Sequence, residues 1–178
     1  MAGYTLLQTQ TASVSSSIDF TSNITSSYRS YIFYIAGLVL GTDNAELSVQ
    51  FNAVGQSGWN ETVTSNAGRI YLNLYGSGNF TIEGGIDRGN SVGLIPLAEN
   101  QENESTSSTA GWFALYNPSD TAKYTIWEAD TMNWNPADYY HRHWVNGYVN
   151  TSAAIDEVRF APSSGTFTSG RITLYGID

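Results

Sequence analysis

Two histidines flank an arginine in the segment His141-Arg142-His143. Residues two apart on a β-strand point to the same face, so both imidazoles could bind one metal ion. Asp138 lies just before the pair, and Glu128 and Asp130 could add carboxylate ligands from a neighbouring strand. No His-Glu-x-x-His segment or similar zinc signature is present. We therefore interpret the histidines as polar groups of a surface or an interface, and predict no metal and no cofactor.

Glu128 and Asp130 form a second pair that could take part in catalysis, because glycoside hydrolysis requires two carboxylates about 5 to 9 Å apart. Residues at positions i and i+2 of one strand lie roughly 7 Å apart, so the distance fits. Any two acids with this spacing satisfy the same condition, however. The sequence also lacks a Gly-x-Ser-x-Gly elbow and a phosphate-binding glycine loop. The sequence therefore favours a protein that is not an enzyme.

Aromatic residues are concentrated beside these groups, since Trp127, Trp134 and Trp144 are three of the five tryptophans. Exposed rings beside amides and carboxylates are typical of sugar-binding clefts, where the rings stack on the sugar and the polar groups accept hydrogen bonds from its hydroxyls. The alternative is that Trp127 and Trp144 fill a core and that Tyr139 and Tyr140 line a subunit contact. If the first interpretation holds, the glycan or loop contacts are Trp134, Asn135, Tyr139, Tyr140, His141 and His143.

Composition limits the classes of partner that these residues could serve. The chain has 178 residues, of which 13% are charged, and a formal net charge of -9. This charge repels phosphate backbones and anionic lipid, so we expect neither a nucleic-acid nor a membrane partner. There is no cysteine, which excludes disulfides and thiolate metal sites. No segment approaches the roughly 20 apolar residues that span a bilayer.

The elements that must position these side chains are strands, because apolar residues recur with period two. Glu46–Ala53 alternates throughout, and Arg69–Tyr75 predicts Ile70, Leu72 and Leu74 inward with Tyr71 and Tyr75 on the other face. Tyr31–Ala36 is apolar on both faces, which indicates a central strand or one that another subunit covers.

Nine or ten such strands, frequent turn residues and almost no helical periodicity predict an all-β fold. We expect a single domain over residues 1–178, an antiparallel jelly-roll-like β-sandwich with a polar loop near 98–110. The predicted core residues are Leu47, Val49, Phe51, Ile70, Leu72, Leu74, Val158, Phe160, Ile172 and Leu174.

The two ends of the chain carry a recognisable pattern. Residues 5–20 end in Ser16-Ser17-Ile18-Asp19-Phe20 and are followed by Tyr28-Arg29-Ser30-Tyr31-Ile32-Phe33. Residues 155–160 are followed by Ser163-Ser164-Gly165 and by a closing Leu174-Tyr175-Gly176. This combination resembles the small β-rich virion proteins of tailed bacteriophages. The middle of the chain, from about Trp59 to Asn150, carries no matching motif.

The resemblance implies a jelly-roll-like sandwich whose first and last strands are neighbours, used as a capsid cement or decoration protein or as part of a tail appendage. It implies a virion location after synthesis in the host cytoplasm. We expect a homo-oligomer, a trimer by this resemblance, that contacts the major capsid protein or another virion protein. The alternative is a tail appendage that recognises a host-surface glycan. The predicted oligomer or shell contacts are Tyr31, Phe33, Ile35, Tyr71 and Tyr75.

Overall fold

A computed structural model describes residues 3–178, and none of these residues lies in a helix. Within this range there is consequently no helix long and apolar enough to cross a membrane. The described residues form thirteen strands: β1 (Tyr4–Thr11), β2 (Ile18–Phe20), β3 (Ser30–Leu40), β4 (Ala45–Ala53), β5 (Val63–Asn73), β6 (Gly78–Ile82), β7 (Arg88–Ser91), β8 (Ile95–Gln101), β9 (Thr109–Tyr116), β10 (Ile126–Trp134), β11 (Tyr139–Val149), β12 (Ile155–Pro162) and β13 (Phe167–Ile177).

Nine strands form a large sheet in the order β1-β13-β3-β9-β10-β11-β5-β6, with β7 also paired to β5. The other four form a small sheet in the order β2-β12-β4-β8. All pairs are antiparallel, and the first strand pairs with the last from Tyr4 opposite Ile177 to Thr11 opposite Arg171. The prediction of an antiparallel β-sandwich is confirmed. Its assignment to the jelly-roll type stays a prediction.

The core lies between the two sheets and is built from aromatic rings. Phe33 and Phe113 of the large sheet meet Phe160 of the small sheet at centroid distances of 5.4 and 5.7 Å. Trp127 stacks on Phe113 at 5.7 Å and is fully buried. Such ring pairs contribute beyond the area that they bury, so this cluster stabilises the contact between the two sheets. Of the predicted core residues, Leu47, Val49, Phe51, Val158, Phe160, Ile172 and Leu174 are buried as expected.

The prediction for β5 is wrong, because the strand faces the other way. Ile70, Leu72 and Leu74 are 42, 48 and 65% exposed. Arg69 points inward and forms ion pairs with Glu83, at 2.9 Å, and with Glu99 of β8. Tyr71 also points inward, since its ring packs 5.5 Å from Tyr139. The edge of the small sheet, β8, lies against β10 and β11, and the large sheet continues past it with β5 and β6.

The strand β3 is central in the large sheet, between β13 and β9, as its two apolar faces predicted. Tyr31, Phe33 and Ile35 belong to the chain's own core, however, and are at most 3% exposed. The Tyr31 hydroxyl donates to the carbonyl of Thr25 at 2.7 Å. These three side chains are therefore not available to a second subunit, and the prediction that they form an oligomer or shell contact is wrong.

The segment predicted as a polar loop near 98–110 is shorter than expected. Ala98–Gln101 completes β8, and Glu99 and Gln101 are buried there. The Gln101 side chain donates to the carbonyl of Leu38 at 2.9 Å and accepts from the Thr109 hydroxyl at 2.6 Å. A buried polar residue with these hydrogen-bond partners is fully compatible with a strand. The polar composition of the segment 98–110, by contrast, is typical of a loop. The actual loop is 102–108.

Candidate interaction surfaces

The outer face of the large sheet, which points away from the small sheet, carries two groups of exposed apolar side chains. The first group, called the apolar patch here, consists of Ile70 and Leu72 of β5 with Phe80 and Ile82 of β6. Phe80 lies opposite Ile70 in the strand register, so their side chains share this face. Phe80 and Ile82 are 59 and 80% exposed. Scattered exposed apolar residues are ordinary, but a contiguous group on one sheet end indicates a contact surface.

The second group, the tyrosine cluster, lies toward the other end of the same face. It consists of Tyr4 of β1, Tyr175 of β13 and Tyr34 of β3, whose ring centroids are 5.7 to 6.4 Å apart. Burial, followed by a hydrogen bond with Tyr4, raises the pKa of Tyr34. Tyrosine rings combine a large contact area with a polar hydroxyl, so this cluster is suited to a protein contact.

The charged groups between these two patches are largely paired. Arg142 donates to both carboxylate oxygens of Asp130, at 2.9 and 2.5 Å, and its guanidinium lies 4.8 Å from the ring centroid of Trp144. Glu128 accepts a hydrogen bond from Tyr116. Burial, followed by that hydrogen bond, raises the pKa of Tyr116 to about 12. The acid pair of Glu128 and Asp130 thus shares one face as predicted, with both carboxylates already engaged by side chains.

A different surface lies at the end of the sandwich, around the turn that joins β10 to β11. The Asn135 side-chain oxygen accepts from the N–H groups of Ala137 and Tyr139 at 3.0 and 2.9 Å. Asp138 has a φ of 60°, a left-handed conformation that short Asn and Asp side chains tolerate better than most. The two ends of the turn, Trp134 and Tyr140, lie opposite each other in the register and point to the outer face. This turn is therefore held in one shape by its own hydrogen bonds.

Trp134 and Tyr140 line an open groove of about 560 Å³ between this turn and the loop 102–108. We call it the terminal groove. Their ring centroids are 6.4 Å apart and the rings are inclined at 47°. The loop is fixed to the turn because the N–H of Glu102 donates to the carbonyl of Trp134 at 3.0 Å. Its remaining lining includes Asn133, Asp138 and the hydroxyl residues 106–108.

The other predicted glycan contacts lie on the opposite side of the turn. Asn135, Tyr139 and His141 line a separate cavity of about 310 Å³ together with Arg69 and Tyr71. Strand alternation accounts for the division, since Tyr139 and His141 face inward while Tyr140 faces outward. The six predicted contacts are thus not one site: two of them line the terminal groove, three line this cavity, and His143 lines neither of the two.

The two histidines share one strand face, as predicted, but the interpretation as surface groups is wrong. His141 is 3% exposed and His143 is fully buried, with ring centroids 5.5 Å apart. Burial, followed by the charge of Arg69, lowers the pKa of His141 to about 4. Burial, followed by the charges of His141 and Arg69, lowers the pKa of His143 to about 3. Among residues 3–178, no group of three or more His, Asp or Glu side chains could hold a metal ion.

Sequence reasoning did not identify the apolar patch or the contribution of Glu102 to the groove. In the segment Gly78-Asn79-Phe80-Thr81-Ile82, polar and apolar residues alternate, and glycine-containing turns flank the segment on both sides. This pattern is the signal of an exposed edge strand. Tyr71, predicted as an oligomer contact, lines the inner cavity. Tyr75 is exposed in the turn after β5, and its role as an oligomer contact stays a prediction. Comparison with known protein families, curated proteins and solved structures found no match.

Proposed function

We propose that this chain is a structural protein of a bacteriophage virion, a cement or decoration protein that clamps neighbouring shell subunits as a homo-oligomer. The observation that carries the proposal is the outer face of the large sheet, with its apolar patch, tyrosine cluster and paired charges. The terminal motifs, whose first and last strands are hydrogen-bonded neighbours, add the phage resemblance.

The positions of the two groups favour a closed ring of copies. The apolar patch lies on β5 and β6 and the tyrosine cluster on β1, β13 and β3, near opposite ends of one sheet. Strands are spaced about 4.8 Å apart, so the two groups are separated by roughly 30 Å. One copy cannot bring them together, but the patch of one copy can contact the cluster of the next. Such a head-to-tail contact forms a ring where its rotation closes, and a trimer is the ring that we propose.

Charge supports the choice of this face over the rest of the surface. The chain carries a net charge of -9, so copies repel each other in general. On the outer face, Asp130 is neutralised by Arg142, and tyrosine and apolar side chains supply much of the surface. An interface of standard size covers about 800 Å² per partner, about a tenth of the 8275 Å² that one copy exposes. The acidic remainder of the surface then meets a basic patch of the shell protein.

Cryo-electron microscopy of the assembled particle tests this proposal. We expect density for this chain at local three-fold positions of the capsid, with each copy touching neighbouring shell subunits. Particles that lack the protein are expected to release their contents at lower temperature than complete particles, because occupied clamps add to the free energy that holds the lattice closed. Unchanged resistance to heat and osmotic shock would contradict the cement role, and density on the tail would favour the appendage.

A further inference from the structure

The terminal groove has features of a ligand site that the clamp function does not use. Its volume of about 560 Å³ falls in the range of small-molecule sites. It opens between the loop 102–108 and the turn after β10, at the end of the sandwich. The apolar patch, by comparison, lies on β5 and β6. Tyr140 of the groove lies opposite Leu72 of the apolar patch in the strand register, so the groove borders the proposed ring contact.

The polar lining of the terminal groove consists mainly of hydrogen-bond acceptors. Glu102 and Asp138 bring carboxylates, and no Lys, Arg or His is among the described residues that line the groove. The Asn133 side chain is 1% exposed, and its amide nitrogen donates to the carbonyl of Glu99 at 3.1 Å. Its oxygen has no partner among residues 3–178. This side chain belongs to the inner face of β10 and its oxygen is closed to solvent, so Glu102 and Asp138 supply the side-chain acceptors of the groove.

The two rings supply the apolar part of the site. Tyr140 is 41% exposed and Trp134 is partly buried beside it, with an angle of 47° between the ring planes. Inclined rings offer two separate faces to a ligand, and C–H groups of a sugar ring pack well on such faces. The hydroxyls of Thr106 and Ser108 add groups that can both donate and accept.

The groove is also preorganised, which reduces the cost of binding. The turn is fixed by Asn135, whose side-chain amide also contacts His141 Nε2 at 3.2 Å. The loop is fixed at both ends: the Ser107 hydroxyl donates to Glu102, and the N–H of Asn103 donates to Asp43 at 2.9 Å. These bonds fix the relative positions of the aromatic rings and the acceptors.

We propose that the terminal groove binds a carbohydrate that carries no negative charge, with a sugar ring against Trp134 and Tyr140 and its hydroxyls donating to Glu102 and Asp138. A hydroxyl-rich ligand matches the acceptors and the C–H faces at once. An anionic sugar would be repelled by the two carboxylates. The opposite case, an alkylammonium group held by the rings and the acids, would leave the hydroxyl residues 106–108 without a use.

The experiment is a titration of the full chain followed by tryptophan fluorescence and saturation-transfer NMR. The probes are the methyl glycosides of glucose, galactose, mannose and N-acetylglucosamine, the β1,4-linked dimer of N-acetylglucosamine, sialic acid, and Nα-acetyl-lysine methyl ester. We expect at least one neutral sugar to bind and sialic acid not to bind. Tyr140→Ala should weaken the binding about tenfold, the factor that corresponds to about 1.4 kcal/mol of ring contact, and Tyr140→Phe should retain most of it.

Two control variants make the outcome decisive. Tyr75→Ala removes a tyrosine that is 91% exposed outside the groove and should leave sugar binding unchanged. Asp138→Asn should weaken binding of a neutral sugar severalfold and leave the oligomeric state unchanged. Absence of binding by all neutral sugars would overturn the proposal, and so would binding that survives Tyr140→Ala. Binding of the lysine ester alone would replace the sugar with an amine. Sedimentation of the same variants separates a loss of sugar binding from a loss of the contact between copies.

Discussion

The inner face of the large sheet has two ends with opposite chemistry. Where the small sheet covers it, Phe33, Phe113 and Trp127 form a dry aromatic core. Toward β5, beyond the edge strand β8, the same face carries Arg69, Tyr71 and the two histidines. The element that packs on a strand's inner face therefore decides which of its residues point inward. Where the apolar strands of the small sheet pack on it, the inner face carries apolar side chains. Where only the edge strand β8 lies nearby, the inner face carries charged and aromatic side chains.

The covered end should contribute the largest share of stability. Phe113 contacts the rings of Phe33, Phe51, Trp127 and Phe160, and its removal leaves a cavity that these neighbours cannot fill. We expect Phe113→Ala to lower the free energy of unfolding by about 4 kcal/mol. Urea denaturation followed by tryptophan fluorescence measures the change. A loss below 1 kcal/mol would show that the aromatic cluster is not the main core.

The polar end should give the fold its sensitivity to acid. Well above pH 6.5 His143 is neutral in both states and contributes no pH dependence. As the pH falls below 6.5, the unfolded chain binds a proton that the folded chain excludes until about pH 3, so stability decreases through this window. The expected loss at pH 4 is about 3 kcal/mol. Denaturation curves of wild type and His143→Leu between pH 7 and pH 4 should differ in slope, and parallel curves would contradict this account.

The ion pairs of Arg69 give the next effect. Arg69 joins Glu83 to Glu99 on β8, and Glu99 is buried. Arg69→Met keeps an unbranched apolar stem but leaves a buried carboxylate without its partner, which should cost about 3 kcal/mol. The double variant Arg69→Met with Glu99→Gln should recover part of this loss. If the single variant is as stable as wild type, the ion pairs do not hold β5 and β6 to the edge of the small sheet.

How much of this could be predicted from the sequence follows from the same comparison. Alternation assigns Leu47, Val49, Phe51 and Ile172 to the core correctly because those strands lie under the other sheet. It does not predict that Ser48, Gln50 and Asn52, on the second face of the same strand, are buried as well. It fails for Arg69–Tyr75 because alternation gives two faces but does not tell which one faces the core. The burial of Arg69 depends on its ion pair with Glu99, thirty positions later, and no local sequence pattern indicates that these two residues pair.

The site was predictable to a similar extent. The concentration of aromatic residues near Trp134 and Tyr140 points to the correct turn of the chain. Its division into two sites depends on strand alternation across β11, and the groove also needs Glu102 from a loop that the sequence places far away. The failure of Tyr31, Phe33 and Ile35 as contacts has the same origin, since a strand with two apolar faces can be central without a second subunit.

The outer face should have the smallest effect on the isolated fold. Ile70 and Phe80 are 42 and 59% exposed, so the pair Ile70→Ser and Phe80→Ser should change the free energy of unfolding of the monomer by about 0.5 kcal/mol or less. Circular dichroism and urea denaturation at low protein concentration measure this. A loss of several kcal/mol would place these side chains in the core and remove the basis for a contact surface.

Sedimentation equilibrium of the isolated chain at micromolar concentrations tests most directly whether the outer face joins copies. We expect wild type to associate, with a trimer as the largest species, and the Ile70→Ser and Phe80→Ser variant to remain monomeric. The matched control replaces Val54 and Val92, two exposed apolar residues outside the apolar patch, with serine and should associate like wild type. A wild-type chain that stays monomeric, or a patch variant that associates as strongly as the control, would contradict the account.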